Sequence, residues 1–370
     1  MPPEQAPPPS SHANVRISAA ARVERAAGDL RRGTPIFIEN GDGTGGAVAV
    51  AVETVNAGTL RALRTAFGAP HLILTHTRAQ TLKVRLYTEG VVAIAAPDDM
   101  DLETLRAVAD PTADLAHPLK GPFVASRAPL PAAAEAAVKL AKLAGLLPAT
   151  LLFAAGDATT LAHAGAADVL HFDAEQAHTL TIVSRARVPL EGAENTELVA
   201  FRPADGGPEH YAIVVGAPKD PALTRLHSEC FTGDLLGSLR CDCGEQLRGA
   251  IAAIGAAGAG VLLYLAQEGR GIGLMNKLRA YRLQDEGFDT MAANERLGFA
   301  ADERMYDIAA RMLALLGIHS VRLMTNNPDK VAALQAAGIA VAERVPHAFP
   351  STAHNRDYLR TKKEKGGHLL

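Results

Sequence analysis

The sequence predicts a mixed α/β fold divided into two domains, each a mixed sheet with packed helices. The chain has 370 residues, and a typical domain takes about 150, so two separate cores are expected. Short apolar runs alternate along the chain with helical patterns that end in glycine, which is typical of α/β proteins. A polar stretch at 187–196 separates an alanine-rich first part from a second series of the same kind.

The first part alternates between short strands and helices. Residues 34–39 and 47–52 are apolar runs typical of buried strands, and 57–68 has the pattern of a helix that ends at Gly68. The further predicted elements are a strand at 71–76, a helix at 131–145, and short strands at 151–153 and 181–183. We therefore expect a domain over 15–192, preceded by a Pro- and Ser-rich tail at 1–14 that is predicted to be disordered.

The second part repeats this alternation. Strands are predicted at 212–216, 261–265 and 320–324. A helix is predicted over 304–316, because apolar residues recur there every three or four positions before Gly317. We expect a domain over 193–347, followed by a polar and mobile tail over 348–370.

Composition excludes several classes of protein. The formal net charge is −3, from 37 Lys and Arg against 40 Asp and Glu, whereas a dedicated nucleic-acid binder carries a basic excess. No apolar run reaches the roughly 18–20 residues that span a bilayer, and the N-terminal residues lack the apolar core of a signal peptide. We expect a cytoplasmic protein with neither nucleic acid nor membrane as a partner.

Three cysteines, Cys230, Cys241 and Cys243, lie within one short segment. An odd number cannot close a disulfide framework, and a reduced set of thiols fits a cytosolic chain. Three thiolates on one segment can hold one face of a Zn²⁺ ion, and the missing fourth cysteine favours an open, catalytic site. His227 is the alternative fourth ligand that would close the site as a structural one. Three buried and inert cysteines are the remaining alternative.

Two segments that follow strands could bind phosphate. The segment QEGRGIG at 267–273 follows a predicted strand, and its glycines let backbone N–H groups approach an anion that Arg270 could grip. The segment TNNPDK at 325–330 offers a hydroxyl, amides and an ammonium group after another strand, where ligands of α/β sheets gather. Each pattern also fits an ordinary tight turn.

Three further residues have an ordinary and a functional interpretation. Asp302 stands where it could cap the helix predicted at 304–316, and Arg304 could be a solvated side chain at its start. Helical spacing makes Tyr281 more typical of a half-buried position than of a catalytic one.

Taken together, these segments resemble GTP cyclohydrolase II over residues from about 200 to 370. The motifs that carry the resemblance, in chain order, are HSECFTGD, SLRCDCG, QEGRGIGLMNK, LGFAADER, TNNPDK and the closing GHLL. The resemblance implies a zinc-dependent enzyme that hydrolyses GTP to 2,5-diamino-6-ribosylamino-4(3H)-pyrimidinone 5′-phosphate, formate and pyrophosphate, the first step of riboflavin biosynthesis. It also implies a homodimer, one zinc ion per chain, and Mg²⁺ that accompanies the triphosphate.

The resemblance also implies roles for individual residues. Cys230, Cys241 and Cys243 would hold the zinc, whose water would attack C8 of the guanine. Arg304 matches the family's proposed nucleophile toward the α-phosphorus, Asp302 its proton acceptor, and Tyr281 a tyrosine near the opening ring. The positions that match GTP contacts are Arg225, Leu226, His227, Ser228, Glu229, Gln246, Glu268, Gly269, Arg270, Thr290, Thr325 and Lys330.

The first part resembles 3,4-dihydroxy-2-butanone 4-phosphate synthase more weakly. The acidic run of that family corresponds here to ENGDGTGGAV at 39–48, which keeps two acids. The family's H-T-E motif, whose histidine binds Mg²⁺, corresponds to Ala133, Ala134 and Glu135. We therefore expect a related but degenerate domain without synthase activity.

Two alternatives to a GTP cyclohydrolase remain. One is a paralogue that acts on a different nucleotide. The other is a non-catalytic nucleotide sensor, in which both parts of the chain have lost their chemistry.

Overall fold

The computed structural model describes residues 17–43, 45–155, 158, 160–351, 355–364, 367 and 369. The tail predicted to be disordered, residues 1–14, lies outside the described residues. The predicted mixed α/β class is confirmed, because helices pack on two separate mixed sheets. We call the residues before Thr181 the N-terminal unit and those from Thr181 onward the C-terminal unit.

The N-terminal unit is built on a sheet with the strand order β4-β3-β5-β2-β1-β6, antiparallel except for the β1–β6 pair. Its strands are β1 (Ile36–Glu39), β2 (Gly46–Ala51), β3 (His71–Thr75), β4 (Val91–Ala95), β5 (Ala149–Ala155) and β6 (Ala162–Gly165). Its helices are α1 (Ala19–Arg31), α2 (Ala57–Phe67), α3 (His76–Thr81), α4 (Leu102–Ala109), α5 (Ala132–Leu143), α6 (Ala166–Leu170) and α7 (Phe172–Thr179).

Both faces of this sheet are buried, as its continuous apolar runs indicate. In β2 the residues alternate in direction, so that Ala47, Ala49 and Ala51 pack with α1 and α5 on one face. Val48 and Val50 pack with α2 and α4 on the other. The small alanine side chains let α5 lie close to the sheet.

The C-terminal unit has the strand order β13-β12-β10-β11-β9-β8-β7. Its strands are β7 (Thr181–Arg187), β8 (Thr196–Arg202), β9 (His210–Val215), β10 (Ala222–Ser228), β11 (Gly260–Leu265), β12 (Ser320–Met324) and β13 (Ala340–Val345). Its helices are α8 (Cys243–Ala257), α9 (Gly273–Asp285), α10 (Thr290–Arg296), α11 (Asp307–Leu315), α12 (Pro328–Ala336) and α13 (Arg356–Glu364).

The parallel strands of this sheet place the motifs together. Strands β11, β10, β12 and β13 run parallel, so their carboxyl ends meet at one edge. The segments 229–243, 267–273 and 325–327 each follow one of these ends. Ligands of open α/β sheets bind at such an edge.

Two boundaries differ from the prediction. The strand predicted at 181–183 exists, but as β7 it pairs with β8, so the two sheets separate before Thr181 and not at 192/193. The predicted helix at 304–316 begins only at Asp307, because Asp302 is bonded to Arg304 within a loop and does not cap the helix. The remaining domain limits stay predictions.

The segment after β13 also departs from the expectation of a mobile tail. Residues 356–364 form α13, and the Leu369 N–H donates to the Asn326 carbonyl at 2.8 Å. No helix within the described residues is long and apolar enough to cross a membrane.

Candidate active site with a three-thiol centre

One cleft at the carboxyl edge of the second sheet collects the predicted site residues. It is lined by the predicted residues Arg225, Leu226, His227, Ser228, Glu229, Cys230, Cys241, Cys243, Gln246, Glu268, Gly269, Arg270, Tyr281, Thr290, Arg304, Thr325 and Lys330. Asp302 does not line the cleft and lies behind Arg304, with which it is paired. Residues separated by more than 100 positions in sequence thus share one surface.

The three cysteine sulfurs form a compact cluster. Cys230 follows β10, Cys241 lies in the loop before α8, and Cys243 is the first residue of α8. Their sulfur atoms all lie within 4.8 Å of one another, and the Cys230 and Cys241 sulfurs are 3.8 Å apart. This spacing and soft donor set suit one tetrahedral metal ion such as zinc.

Gly233 provides a second test of whether the thiol cluster suits a metal ion. A Cβ atom at this position would lie 2.8 Å from the Cys241 sulfur and 3.0 Å from the Cys230 sulfur. The Gly233 N–H also donates to the Cys230 sulfur at 3.3 Å. The glycine therefore leaves the space and the donor that a metal-binding thiolate needs.

A buried lysine stabilises negative charge at the cluster. The Lys277 ammonium lies 3.0 Å from the Cys230 sulfur and 2.8 Å from the Glu268 carboxylate. Hydrogen bonds from the neighbouring thiols and the Lys277 charge hold the pKa of Cys230 well below its usual range. The Cys230 sulfur in turn raises the pKa of Cys241 to about 11, so a bound cation would favour ionisation of the whole set.

His227 does not join the thiol cluster. Its Nε2 lies 3.1 Å from both carboxylate oxygens of Asp234, and its ring stacks on Tyr264 at 5.6 Å. The Tyr264 hydroxyl donates to the same carboxylate at 3.0 Å. Within the described residues, the cluster therefore has three cysteine ligands and no histidine.

A wall of buried cations lies beside the thiols. Arg225 donates to the Met324 carbonyl at 2.7 Å and to the Gln246 side chain, and burial lowers its pKa to about 10. Its Nε is buried with no hydrogen-bond partner among the described residues. Lys330 is buried and donates to the Leu226 carbonyl at 3.0 Å. An anion in the cleft would meet these charges in a poorly hydrated setting.

The glycine-rich segment forms a strained turn before α9. Gly269 and Arg270 both have left-handed backbone angles, with φ of 64° and 65°. For Arg270 this conformation is costly, because its Cβ crowds the backbone. Such strain clusters at functional sites, where it aims a side chain or an N–H group at a ligand.

Asp302 and Arg304 form a paired unit in the loop before α11. The Arg304 Nε donates to the Asp302 carboxylate at 2.8 Å, and the Arg304 backbone N–H donates to it at 3.1 Å. Burial works against the charge of Arg304, yet the Asp302 carboxylate raises its pKa above the ordinary value. Arg304 is therefore a guanidinium cation at any physiological pH, which makes attack by its nitrogen chemically demanding.

Tyr281 lies against the thiol cluster on α9. Its hydroxyl is 3.4 Å from the Thr232 hydroxyl, and the Arg240 guanidinium lies 5.1 Å from its ring centre. Burial raises the pKa of Tyr281, so it is a neutral donor near neutral pH.

The cleft contains residues that sequence reasoning missed. Lys277 and Asn294 line it from α9 and α10, His347 from the segment after β13, and Tyr358 from α13. Lys277 has a signal in the sequence, because it stands four residues before Tyr281 and so on the same helix face. His347 and Tyr358 follow no motif that could have marked them.

The fold is mixed α/β, and the cleft holds a three-thiol centre beside an anion-binding wall. This arrangement is typical of a metal-assisted hydrolase. The family model of GTP cyclohydrolase II matches residues 181–346. The chain is 50% identical to a GTP cyclohydrolase-2 of Azospirillum brasilense over 381 aligned residues, which cover 100% of this chain and 99% of that protein. The chain belongs to the GTP cyclohydrolase II family, and the expectation of an enzyme of this type is confirmed.

Other curated relatives match less than half of this chain. A GTP cyclohydrolase-2 of Azotobacter vinelandii is 62% identical over 166 residues, 44% of this chain and 80% of that protein. The riboflavin biosynthesis protein RibBA of Bacillus cereus is 58% identical over 164 residues, 44% of this chain and 41% of that protein. The comparison with a solved two-domain 3,4-dihydroxy-2-butanone 4-phosphate synthase from A. baumannii covers 88% of this chain and 99% of that chain, at 18% identity and a TM-score of 0.33.

Proposed function

We propose that this chain is a zinc-dependent GTP cyclohydrolase II of riboflavin biosynthesis. It hydrolyses GTP to 2,5-diamino-6-ribosylamino-4(3H)-pyrimidinone 5′-phosphate, formate and pyrophosphate. The observation that carries the proposal is the presence, in one cleft, of a three-thiol cluster and a wall of buried cations. Ring opening needs an activated water, and release of pyrophosphate needs positive charge around the phosphates.

Cys230, Cys241 and Cys243 would hold the zinc ion. When bound, zinc supplies the Lewis acidity that lowers the pKa of water for hydrolysis at neutral pH. Gly233 keeps the sulfurs accessible, and Lys277 offsets their negative charge. With three protein ligands, the site is of the open kind that catalytic zinc requires.

The cation wall would bind the triphosphate. Arg225 and Lys330 are buried beside the end of β10, and Arg270 projects from the strained turn. Mg²⁺ would accompany the triphosphate and take its oxygen ligands from the phosphates and water. The remaining predicted GTP contacts line the same cleft and would orient the base and ribose.

Asp302 and Arg304 would act at the α-phosphate. Their pairing fixes the guanidinium, which can stabilise negative charge that develops as pyrophosphate leaves. The pairing with Arg304 holds the pKa of the Asp302 carboxyl low, although burial opposes it. Asp302 would be the proton acceptor at this step. The resemblance also makes Arg304 the candidate nucleophile: its nitrogen would bond to the α-phosphorus as the bond to pyrophosphate breaks, and its proton would pass to Asp302. Tyr281 would donate to the opening ring.

We also propose an oligomeric state, a location and partners for this protein. We expect a homodimer that works in the cytoplasm, with GTP as its small-molecule partner and without nucleic acid or membrane. The N-terminal unit is proposed to be a degenerate synthase-like domain.

Two substitutions test the proposal. Cys241→Ser is expected to lose bound zinc and formate release together, because one of three ligands is removed; zinc is measured by elemental analysis. Arg304→Ala is expected to keep zinc and to lose pyrophosphate release. Full formate release from zinc-free Cys241→Ser, or normal pyrophosphate release from Arg304→Ala, would contradict the assigned roles.

The choice of nucleotide is tested on the wild-type protein. Incubation with GTP, Zn²⁺ and Mg²⁺ is expected to yield formate and the absorbance of the pyrimidine product. Product from another nucleotide alone would favour the paralogue. Binding of GTP without turnover would favour the sensor.

A further inference from the structure

A lysine of the N-terminal unit contacts the loop that carries Asp302 and Arg304. The Lys142 ammonium, at the end of α5, lies 2.6 Å from the Glu303 carboxylate. Glu303 is the residue between the paired Asp302 and Arg304. The Lys142 ammonium also lies 5.6 Å from the ring centre of Phe299, at the start of the same loop. One side chain of the N-terminal unit therefore contacts the loop that carries Asp302 and Arg304.

Glu303 connects this loop to the strained turn. Its carboxylate also accepts the Ala300 N–H at 2.7 Å, and its own N–H donates to the Arg270 carbonyl at 3.1 Å. The contact is close, since a Cβ atom on Gly271 would lie 2.7 Å from the Glu303 carbonyl oxygen. A shift of Glu303 would therefore move both the Asp302–Arg304 pair and the turn.

The loop 300–306 has little regular structure of its own. It lies between α10 and α11 and has no strand partner, so few backbone hydrogen bonds fix it. The contacts that fix the loop include the Glu303 N–H on the Arg270 carbonyl, the Gln267 amide on the Met305 carbonyl at 2.9 Å, and the ion pair from Lys142. The Lys142 and Glu303 side chains are only 25% and 21% exposed, which protects their ion pair from solvent.

A second set of contacts docks α9 on the same unit. Arg279 lies 2.8 Å from the Glu53 carboxylate, and that carboxylate also accepts the Leu147 N–H at 2.8 Å. The Asn276 amide donates to the Gly145 carbonyl at 3.2 Å. Helix α9 carries Lys277 and Tyr281, so the cleft wall and the loop rest on one support.

We propose that the N-terminal unit positions the active site, and that Lys142 is a positioning residue that acts through Glu303 on Arg304. Lys142 does not line the cleft. Its role is to hold the guanidinium where it meets the phosphates, and an error of about 1 Å in such placement can cost about 100-fold in rate. The proposal rests on the proposed function for its kinetic consequences.

Matched variants on one helix test the proposal. Lys142→Met is expected to lower kcat for pyrophosphate release by about 10- to 100-fold, with zinc content and unfolding temperature close to wild type. The control is Lys139→Met, because Lys139 lies one turn earlier on α5 and pairs with Asp173 inside its own unit. Its exposure is similar, at 26%, and it is expected to keep wild-type kcat.

Two further readouts separate positioning from a general loss of structure. Lys142→Arg is expected to restore most of kcat, because it keeps the charge. Lys142→Met is expected to add nothing in a Glu303→Gln background, because the two residues act through one contact. Unchanged kcat in Lys142→Met, equal loss in Lys139→Met, or additive effects with Glu303→Gln would each overturn the proposal.

Amide hydrogen exchange tests the positioning role of Lys142 without relying on the proposed enzyme activity. Lys142→Met, but not Lys139→Met, is expected to speed amide exchange at residues 300–304, whether or not the protein turns over GTP. If the wild type shows no GTP turnover, the proposed function fails and exchange still decides the positioning role. Exchange at 300–304 that is the same in all three proteins would overturn it.

Discussion

At the residue scale, Arg270 has a strained backbone conformation that lowers stability, and it places a guanidinium group in the cleft. Its left-handed backbone costs on the order of 1–3 kcal/mol relative to an ordinary conformation, and glycine would avoid most of that cost. The neighbours Gly269 and Gly271 already have positive φ, so the backbone path itself favours glycine at this point. The presence of arginine therefore indicates that its guanidinium is needed.

Replacement of Arg270 separates strain from charge. Arg270→Gly is expected to leave the free energy of unfolding unchanged or to raise it by up to about 1 kcal/mol. The same change is expected to lower kcat/KM for GTP by about 10- to 100-fold through the loss of charged hydrogen bonds. Arg270→Ala is the control, because it removes the guanidinium and keeps the strain. A clear fall in the urea midpoint of Arg270→Gly would contradict this account of the turn.

The sequence allowed prediction of residues whose chemistry is local. Cys230, Cys241 and Cys243 are close in sequence, so their convergence required no knowledge of the fold. His227 was a possible fourth ligand by the same reasoning, but β10 directs its ring toward Asp234. Lys142 could not be predicted as a neighbour of the cleft, since it belongs to the other unit.

At the scale of elements, strand β9 contributes a buried histidine to the edge of the site. The His210 Nδ1 accepts the Ala266 N–H at 3.1 Å, just after β11 ends. This contact joins β9 to the strand that leads into the glycine-rich turn. Burial lowers the pKa of His210 to about 4, so the ring stays neutral and can accept the hydrogen bond.

The depressed pKa of His210 gives stability a pH dependence with a definite sign. Above about pH 6.5 the ring is neutral in both the folded and unfolded states, and its hydrogen bond is intact. Between about pH 6.5 and the folded pKa of about 4, the unfolded state binds the extra proton, so stability falls as pH falls. The expected slope is about 1.4 kcal/mol per pH unit.

A comparison of variants isolates this contribution. His210→Gln keeps an acceptor that does not titrate, so wild type is expected to lose about 2 kcal/mol more than this variant between pH 7 and pH 5. Urea unfolding at both pH values gives the difference. His178→Gln is the control substitution, because it makes the same change at an exposed histidine. Parallel pH profiles for wild type and His210→Gln would refute the role of burial.

Most elements followed from their patterns, and the exceptions have physical causes. The helix at 304–316 starts three residues late, because Asp302 is bonded to Arg304 and Glu303 to the turn. Apolar periodicity cannot detect such side-chain bonds. Helix α13 was missed because its sequence is strongly polar and offers only Tyr358 and Leu359 as large apolar side chains.

At the scale of the whole molecule, the two units share a packed contact. Leu147, just before β5, packs with Ile272, Leu283 and Phe299 of the C-terminal unit. The ion pairs of Lys142 and Arg279 lie beside this apolar cluster. Two α/β units could be predicted from length and pattern. Their contact could not, because it joins residues more than 100 positions apart, and no motif marks Glu53, Lys142 or Leu147 on the N-terminal side.

The sequence also does not predict where the first sheet ends and the second begins. Strand β7 is exposed along most of its length, so its pattern carries little information about which sheet it joins. Its partner β8 follows after a short polar loop, which favours an antiparallel hairpin-like pair over a return to the first sheet. The polar stretch that suggested a boundary at 192/193 is this connection.

The N-terminal unit is expected to lack synthase chemistry, for a reason visible in its packing. The resemblance places Ala133 and Ala134 at the His and Thr of the H-T-E motif, and both alanines are fully buried in an apolar cluster. An imidazole at position 133 would have to displace that packing.

Assay with ribulose 5-phosphate and Mg²⁺ tests this expectation on the intact chain. Formation of 3,4-dihydroxy-2-butanone 4-phosphate is expected to stay at the level of a protein-free control, because the unit lacks the imidazole that would bind Mg²⁺ and most of the acidic run. The same preparation should open GTP, which shows that the protein is folded and active. An active synthase in a parallel reaction confirms that the assay detects product. Robust product formation by this chain would show that other residues replace the lost ligands. In that case the N-terminal unit would be a second catalytic domain in addition to its support of the loop at 300–306.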